Sequence, residues 1–310
     1  MSYEREMLKQ FAMPTQKRVE EHLLQVLLKH GGVVKEFGAG QEIVDEIADL
    51  FHLTALQRSA FMETTYRKEN RRKKAFLWHR LLFRAANSLA IQHLVSRPTQ
   101  TLQLTSKREW MLTEKGLDEA LRLTNTPSDL KDSLPTKSYE VQKIAKKLVE
   151  SRRPEDYDPF DRSKKTTTTT REAILRTRGF RQAVIVAYDF RCAVCGLKIS
   201  SPDSASWEVE AAHIVPHRSL GRDDIFNGLA LCGLHHWAFD TGWFTLMDDY
   251  NVQVSPQTDR LPSDFGKMDG FDFLQSLAER KQRILLPERQ AIYPHINAIR
   301  WHRQNIFHAK

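Results

Sequence analysis

Four residues in the second half of the chain have the types and the spacing of zinc ligands. Two cysteines form a C-x2-C pair, and a later cysteine and histidine form a C-x2-H pair; the set is Cys192, Cys195, Cys232 and His235. Three thiolates and one imidazole form a tetrahedral ligand set for a structural Zn²⁺ ion. The alternative is a buried cysteine pair with chance partners, but both half-spacings favour zinc.

Three further polar residues lie within or beside this interval, and a zinc ion does not need them: His213, Asn227 and His236. Such a set inside a metal-clamped fold suggests a second, catalytic site. His213 is the candidate general base, because a neutral imidazole can take a proton from water near neutral pH. On a helix, His235 and His236 point about 100° apart, so the first can bind zinc while the second faces a cleft.

Charge and cysteine use narrow the class of protein. The chain has 310 residues and a formal net charge of +8, which favours a polyanionic partner such as nucleic acid. All three cysteines belong to the predicted zinc site. No signal peptide and no long apolar run is evident, so we expect a cytoplasmic protein without a membrane span.

Helical periodicity dominates the first part of the chain. The predicted elements are helices at 15–29, 41–51 and 73–93, a short helix after Thr54, and another starting near Leu117. Apolar and polar residues alternate over 101–116, and this pattern predicts a β-hairpin with a basic turn at 106–108. Helices followed by such a hairpin describe a winged helix-turn-helix.

Basic residues concentrate at two places in this part. Residues 67–80 contain seven Lys or Arg and a single Glu and lead into the predicted 73–93 helix, and the predicted hairpin turn is also basic. Phosphate contacts are therefore expected from Arg71, Arg72, Lys73, Lys74, Arg80, Lys107 and Arg108. A winged helix that binds protein and makes no DNA contact is the alternative.

Residues 10–123 resemble the N-terminal domain of Mrr-type restriction proteins. The resemblance is carried by EIVDEIADLF, FLWHRLLFRAANSLAIQHLV and W-x-LTEKG. It implies recognition of modified DNA, such as methylated adenine or cytosine, by an apolar pocket that closes over the methyl group. Trp78, Phe83 and Trp110 are candidate pocket residues, with the hydrophobic core as their alternative location.

Residues 172–308 resemble the HNH endonuclease family, in its bacterial restriction-like branch. The matching segments are FRQAVIVAYDFRCAVCG, EAAHIVPHR, FNGLALCGLHHWAFDTGWFTL and LLPERQAIYPHINAIRWHRQNIF. The resemblance implies a β-hairpin and a helix around one divalent metal, Mg²⁺ or Mn²⁺. It assigns His213 as the general base, Asn227 as the residue that holds the base loop, and His236 as a ligand of the catalytic metal. In some relatives the Asn position binds the metal instead.

One position departs from that family's pattern. Many members carry a metal-binding Asp immediately before the base histidine, whereas this chain has Ala212. Asp240 is one helical turn after His236 and can face the same ion, and Glu210 is a second candidate ligand. Asp240 can equally brace the turn at Gly242.

These observations predict an α+β chain in three parts. Residues 1–124 form a winged helix-turn-helix domain, 125–170 a linker with a helix at 138–151, and 171–310 a zinc-stabilised ββα-metal (HNH) nuclease domain with a helical tail. We expect a restriction-type, modification-dependent endonuclease that cuts double-stranded DNA, with a homodimer to make the two nicks. The alternatives are a zinc-stabilised DNA-binding regulator with a decayed nuclease site, and a nuclease for RNA or single strands.

Overall fold

The chain divides into two compact units, Met1–Gln142 and Lys143–Lys310. The computed structural model describes residues 3–35, 37, 42–66, 71–127, 131, 134, 136–162, 170–202, 206–260, 262, 264–269, 271–279 and 283–307. Among the helices of these residues, none combines the length and the apolar character that crossing a membrane requires.

The first unit combines helices with a small antiparallel sheet. Its helices are α1 (Tyr3–Gln10), α2 (Gln16–Lys29), α3 (Glu42–Leu50), α4 (Ala55–Ser59), α5 (Leu77–Ile91), α6 (Pro98–Thr105) and α7 (Glu114–Leu123). Its strands are β1 (Val33–Lys35), β2 (Phe61–Tyr66), β3 (Arg71–Phe76), β4 (Val95–Ser96) and β5 (Glu109–Leu112). One sheet has the order β1-β5-β4, and β2 and β3 form a separate hairpin.

Sequence signals explain where the first long helix begins and ends. Thr15 caps α2 by accepting a hydrogen bond from the backbone N–H of Arg18, as the sequence predicts. Gly32 follows the helix with a φ of 87°, and a Cβ there would lie 2.1 Å from the carbonyl oxygen of Lys137. Only glycine fits this left-handed, crowded position. The helix buries one apolar face, which packs against α5 and α7.

The core of this unit holds two of the three candidate pocket aromatics. Trp78 and Trp110 are buried, whereas Phe83 is exposed. The indole N–H of Trp78 donates to the carbonyl oxygen of Val44 at 3.0 Å. The two tryptophans therefore belong to the core and leave Phe83 as the accessible aromatic.

The prediction of a β-hairpin over 101–116 is wrong, because helix α6 occupies the first part of this range. Pro98 begins α6, and the side chain of Gln100 accepts a hydrogen bond from the backbone N–H of Arg97 at 2.9 Å. These local signals favour a helix, because proline suits the first helical turn. Of the alternating residues, only Glu109–Leu112 form a strand, β5, and this strand pairs with β1 and β4.

The helix predicted over 73–93 is correct only in its later part. Its first residues belong to β3, which pairs with β2 from Phe61↔Phe76 to Tyr66↔Arg71, and α5 begins at Leu77. Pairing with the preceding strand in a hairpin overrides local helix propensity here. Residues 67–70, in the predicted basic run, lie outside the described residues, and so does Gln41 at the start of the predicted second helix.

Among the described residues, the second unit contains three antiparallel strand pairs and an apolar core. A helix α8 (Tyr139–Val149) contains the boundary between the units and corresponds to the helix predicted at 138–151. The other elements are α9 (Thr170–Ala187), β6 (Glu210–His213), β7 (Gly228–Leu231), α10 (Gly233–Asp240), β8 (Phe244–Leu246), β9 (Val252–Val254), β10 (Lys267–Met268), β11 (Phe271–Asp272), α11 (Phe273–Glu279) and α12 (Ile296–His302). The sequence predicts a tail helix from Phe271 to about Ile284. Phe271 lies in β11, α11 forms Phe273–Glu279 of the predicted helix, and residues 280–282 lie outside the described residues.

Two segments that are not strands also pack into this core: the C-terminal tail and the segment around Tyr157. His302 stacks on Phe239 with ring centroids 3.7 Å apart, and Arg300 and Arg303 both pair with Asp248. The tail thus docks on the core of this unit. Upstream, Tyr157 is buried in the same core, so part of the predicted linker is ordered there. Residues 163–169 of the predicted polar stretch lie outside the described residues.

Candidate active site

The four predicted zinc ligands converge in the structure. The ligand atoms of Cys192, Cys195, Cys232 and His235 all lie within 4.8 Å of one another. Gly196, with a φ of 76°, turns the loop that carries the first two cysteines. Cys232 caps α10 and His235 lies in its first turn, so formation of this helix brings the second pair together.

The separation of two sulfur atoms in the cluster fits a tetrahedral ion. The Sγ atoms of Cys195 and Cys232 are 3.9 Å apart, and sulfur ligands around zinc are expected at separations of roughly 3.8 Å. Nδ1 of His235 lies 2.9 Å from Sγ of Cys232, which aims this nitrogen into the cluster. Three of the four residues are buried, as is usual for structural metal sites. The donor set therefore fits Zn²⁺.

The cluster also shifts its own proton equilibria. Hydrogen bonds with Cys195 and Cys232 hold the pKa of the Cys192 thiol well below its usual range. Burial lowers the pKa of His235, but contacts with Cys192 and Cys195 outweigh it and raise this pKa to about 9. Zinc requires thiolates and a neutral imidazole, so binding of the ion must release protons.

His213 is the last residue of β6, and its ring is held on two sides. Nε2 lies 2.9 Å from Oδ1 of Asp223. The ring stacks on Phe180 of α9, with centroids 4.1 Å apart and planes 21° apart. Nδ1 makes no hydrogen bond with the part of the chain that the structure describes. An imidazole anchored through one nitrogen, with the other available, has the form of a general base.

Asn227 fastens the loop that joins β6 to β7. Its Oδ1 accepts from the backbone N–H of Val215 at 2.8 Å, and its Nδ2 donates to the carbonyl oxygens of Val215 and Arg222 at 3.0 Å each. The side chain is fully buried, so water does not compete for these bonds. One amide thus fixes the backbone two residues after His213 and one residue before Asp223.

Two more residues fix the shape of this loop. A Cβ at Gly221 would lie 1.8 Å from the carbonyl oxygen of Val215, so the loop closes only with glycine. Oδ1 of Asp224 accepts hydrogen bonds from the Tyr157 hydroxyl at 2.7 Å and from the backbone N–H of Phe226 at 3.1 Å. Burial raises the pKa of Asp224 and of Tyr157. The loop is therefore held through Asp224 by its own backbone at Phe226 and by Tyr157 from an earlier segment of the chain.

Asp223 is not among the site residues predicted from the sequence. It lies in an irregular loop ten residues after His213, where no periodicity relates the two side chains. The sequence offers one hint of a carboxylate near the site, the adjacent residues Asp223 and Asp224 shortly before Asn227. Residue types alone do not show which of the two aspartates turns toward His213 and which toward Tyr157.

His236 lies on α10 between two carboxylates. Its Nδ1 is 2.7 Å from Oε2 of Glu210, and its Nε2 is 3.7 Å from Oδ2 of Asp240, one helical turn later. Glu210 and Ala212 share a face of β6, because alternate strand residues point the same way. Glu210 thus supplies a carboxylate on the face where the family places Asp. An imidazole nitrogen and carboxylate oxygens are suitable ligands for Mg²⁺ or Mn²⁺.

The aromatic residues after His236 do not all enter the core. Phe239 and Phe244 are buried, and Trp243 packs against the same cluster. From the sequence, all four aromatic residues of this segment are predicted to pack in the core. Trp237 is 53% exposed, so that prediction is wrong for this residue. His235 points into the ligand cluster, and Trp237, two residues later on the same helix, lies on the opposite side and faces outward.

The residues expected to contact phosphate lie at three places in the first unit. Arg71, Arg72, Lys73 and Lys74 occupy consecutive positions of β3. Nη2 of Arg80 is 2.8 Å from Oε2 of Glu4, so this guanidinium already has an internal carboxylate partner. Lys107 and Arg108 are exposed in the turn between α6 and β5. The longest continuous basic stretch is therefore on the β2–β3 hairpin.

Comparison with known proteins identifies one domain. Residues 192–247 match the family model described as HNH endonuclease, so this stretch is an HNH endonuclease domain, and the match supports a nuclease. A solved structure described as "Modification dependent TagI restriction endonuclease" is similar over 41% of this chain and 37% of that chain, with 24% sequence identity and a TM-score of 0.29. A similarity at this TM-score does not define a common fold or function. No curated protein matches the chain.

Proposed function

We propose that the protein is a metal-dependent DNA endonuclease of restriction type. The observation that carries this proposal is the arrangement of three residues inside the HNH endonuclease domain. His213 ends β6, Asn227 immediately precedes β7, and His236 lies on α10. The two strands pair directly, with His213 opposite Gly228, and α10 packs against both. This is a ββα arrangement with its polar residues at the strand ends and on the helix.

His213 acts as the general base in this proposal. Nε2 is engaged with Asp223, so Nδ1 takes the proton from the attacking water. The stack on Phe180 limits rotation of the ring, and Asn227 holds the loop behind it. Positioned general bases typically contribute 10²- to 10⁴-fold to rate.

His236 and Asp240 hold the catalytic metal in this proposal, and Glu210 orients His236. The 2.7 Å contact of Glu210 with Nδ1 is a direct hydrogen bond of the kind that fixes a metal-binding histidine. The 3.7 Å separation of Nε2 from Asp240 is too long for a hydrogen bond and suits two ligands of one ion. When bound, a divalent ion stabilises charge on the phosphate and the leaving oxygen.

The first unit is proposed to recognise double-stranded DNA as a winged helix. A three-stranded antiparallel sheet in contact with α2 and α5 supports this arrangement, although α6 stands where a simple wing would be. Modification dependence follows from the resemblance to Mrr-type domains. Phe83 is then the exposed aromatic available to a methylated base. A homodimer would supply the two nicks of duplex cleavage.

Cleavage of matched plasmids tests this function. One plasmid is prepared with adenine and cytosine methylation and one without, and each is incubated with the wild type or His213→Ala, with Mg²⁺ or Mn²⁺. We expect only methylated DNA to be cut, and we expect the variant to lose at least about 10²-fold in rate. Circular dichroism of the variant controls for folding.

The other outcomes select among the alternatives. Equal cutting of both plasmids would retain the nuclease and remove the modification dependence. Cleavage of RNA or single strands in place of duplex would redirect the substrate assignment. Binding to DNA without cleavage of any substrate would favour a regulator with a decayed site, which is the reading that Ala212 supports.

A further inference from the structure

A buried carboxylate faces the proposed general base. Oδ1 of Asp223 lies 2.9 Å from Nε2 of His213, and the two side chains are only 5% and 16% exposed. A hydrogen bond between a carboxylate and an imidazole is strong when water is largely excluded. The contact is therefore well suited to control how the His213 ring is oriented and where it carries its proton.

The backbone shows that this contact is built into the fold. Asn227 holds Val215, two residues after His213, and also Arg222, one residue before Asp223. The backbone N–H of Ile214 also donates to the carbonyl oxygen of Asn227 at 2.9 Å. Both partners of the contact are therefore fixed by one buried amide, and loop movement alone does not separate them.

We propose that Asp223 is the positioning residue for the general base, a role that rests on the nuclease function proposed above. Asp223 accepts the Nε2–H of His213 and thereby selects the tautomer that leaves a lone pair on Nδ1. The same carboxylate stabilises the imidazolium that forms when Nδ1 takes a proton from water. A carboxylate behind a catalytic histidine serves these two purposes in the Ser-His-Asp triad.

The groups around His213 are compatible with this role. The loop supplies Asp223 and His217, whose ring centroid is 6.2 Å from that of His213. On the α9 side, the uncharged ring of Phe180 covers one face. Asp224 has a different task, because its Oδ1 binds Tyr157 and the backbone of Phe226. Neighbouring aspartates thus divide into one that faces the base and one that holds the loop.

The first measurement concerns the proton itself and does not depend on activity. Ring ¹⁵N shifts of His213 are recorded for the zinc-loaded full chain at about pH 8.5, where an ordinary imidazole is neutral. The signal is assigned by its loss in His213→Gln. We expect the wild type to carry its proton on Nε2. We expect Asp223→Asn to move the proton to Nδ1 at least in part, because an amide can donate to Nε2.

Asp224→Asn is the matched control for damage to the loop. It should lower the melting temperature, because an amide oxygen is a weaker acceptor than a carboxylate for the buried Tyr157 hydroxyl, and it should leave the His213 tautomer unchanged. A wild-type proton on Nδ1, or a tautomer that Asp223→Asn does not change, would overturn the proposal. A tautomer change of equal size in Asp224→Asn would also overturn it, since the effect would then belong to the loop as a whole.

Cleavage kinetics supply the second measurement. Asp223→Asn should lower kcat by roughly 10- to 100-fold and leave KM for DNA unchanged, because Asp223 does not touch the substrate. A rise in KM with kcat unchanged would contradict the positioning role. A wild type that keeps the Nε2 proton but cuts no nucleic acid refutes the nuclease function alone. A wild type that cuts DNA with its proton on Nδ1 refutes the role of Asp223 alone.

Discussion

A histidine between two carboxylates has one ring nitrogen for each of them. For His236, the short contact to Glu210 uses Nδ1, and Asp240 stands beside Nε2 at a longer distance. A ring nitrogen that donates its proton to a carboxylate has no lone pair left for a metal ion, so the two carboxylates have different roles in the proposed site. There, Glu210 orients His236 and Asp240 shares the metal with it.

This division predicts unequal effects on metal dependence. Asp240→Asn should raise the Mn²⁺ concentration for half-maximal cleavage by roughly 100-fold, and Glu210→Gln by roughly 10-fold. Asp249→Asn, at an exposed aspartate outside the site, should leave it unchanged. The measurement is a Mn²⁺ titration of initial cleavage rates at saturating DNA. A larger effect at Glu210 than at Asp240 would reverse the assignment.

The site residues differ in how far the sequence alone could place them. The zinc ligands are fixed by two short spacings, and each half-set is brought together by a local turn or by one turn of helix. His236 and Asp240 are likewise related by helical geometry. The contact of His213 with Asp223 joins a strand to an irregular loop, and a single sequence carries no periodic signal for such a contact.

Among the elements, the β6–β7 loop is the one whose backbone shape the catalytic proposal depends on most. Gly221 lies at its tightest point, where any side chain would meet the carbonyl oxygen of Val215. Gly233, at the start of α10, offers a contrast, because a Cβ there meets its nearest atom at 3.6 Å. That distance is an ordinary van der Waals contact.

The two glycines therefore predict opposite outcomes for the same substitution. Gly221→Ala should displace the loop and lower cleavage by at least about 10²-fold, the contribution of a correctly placed base. Gly233→Ala should keep wild-type cleavage. Rates are compared at saturating DNA, with zinc content and melting temperature measured for both variants. Wild-type activity in Gly221→Ala would show that the loop relaxes without moving His213.

Element prediction succeeds where helix-capping residues are clear and fails where strand pairing decides. α2 and α4 follow their caps, Thr15 and Thr54. In contrast, residues 73–76 are predicted as the start of a helix but belong to strand β3, because β2 pairs with it. Residues 101–105 alternate as a strand would, but they form a helix once Pro98 has set its first turn.

At the scale of the whole molecule, the excess of basic residues has a measurable consequence for DNA binding. The net charge is +8, and β3 carries four consecutive basic residues. Contacts to phosphate release counterions, so affinity falls with salt in proportion to the number of contacts. They also add affinity without regard to base sequence.

Replacing two residues of this strand should reduce that salt dependence. Lys73→Ala with Lys74→Ala is expected to weaken binding of every duplex to a similar extent and to lower the slope of log affinity against log salt by about 2. The double variant Lys146→Ala with Lys147→Ala, on α8, is the matched control. Fluorescence anisotropy with a labelled duplex over a range of salt concentrations gives the slope. An unchanged slope would remove the β2–β3 hairpin from the proposed DNA interface.

The zinc cluster also bears on how the nuclease unit folds. Cys195 and Cys232 are 37 residues apart, and the intervening segment contains His213, Asp223 and Asn227. An ion that joins these cysteines closes the segment into a ring and removes much of the loop-closure entropy that ordering it would otherwise cost. With zinc as that ion, free zinc would act as a reactant in maturation, and zinc supply would set how many chains complete this fold.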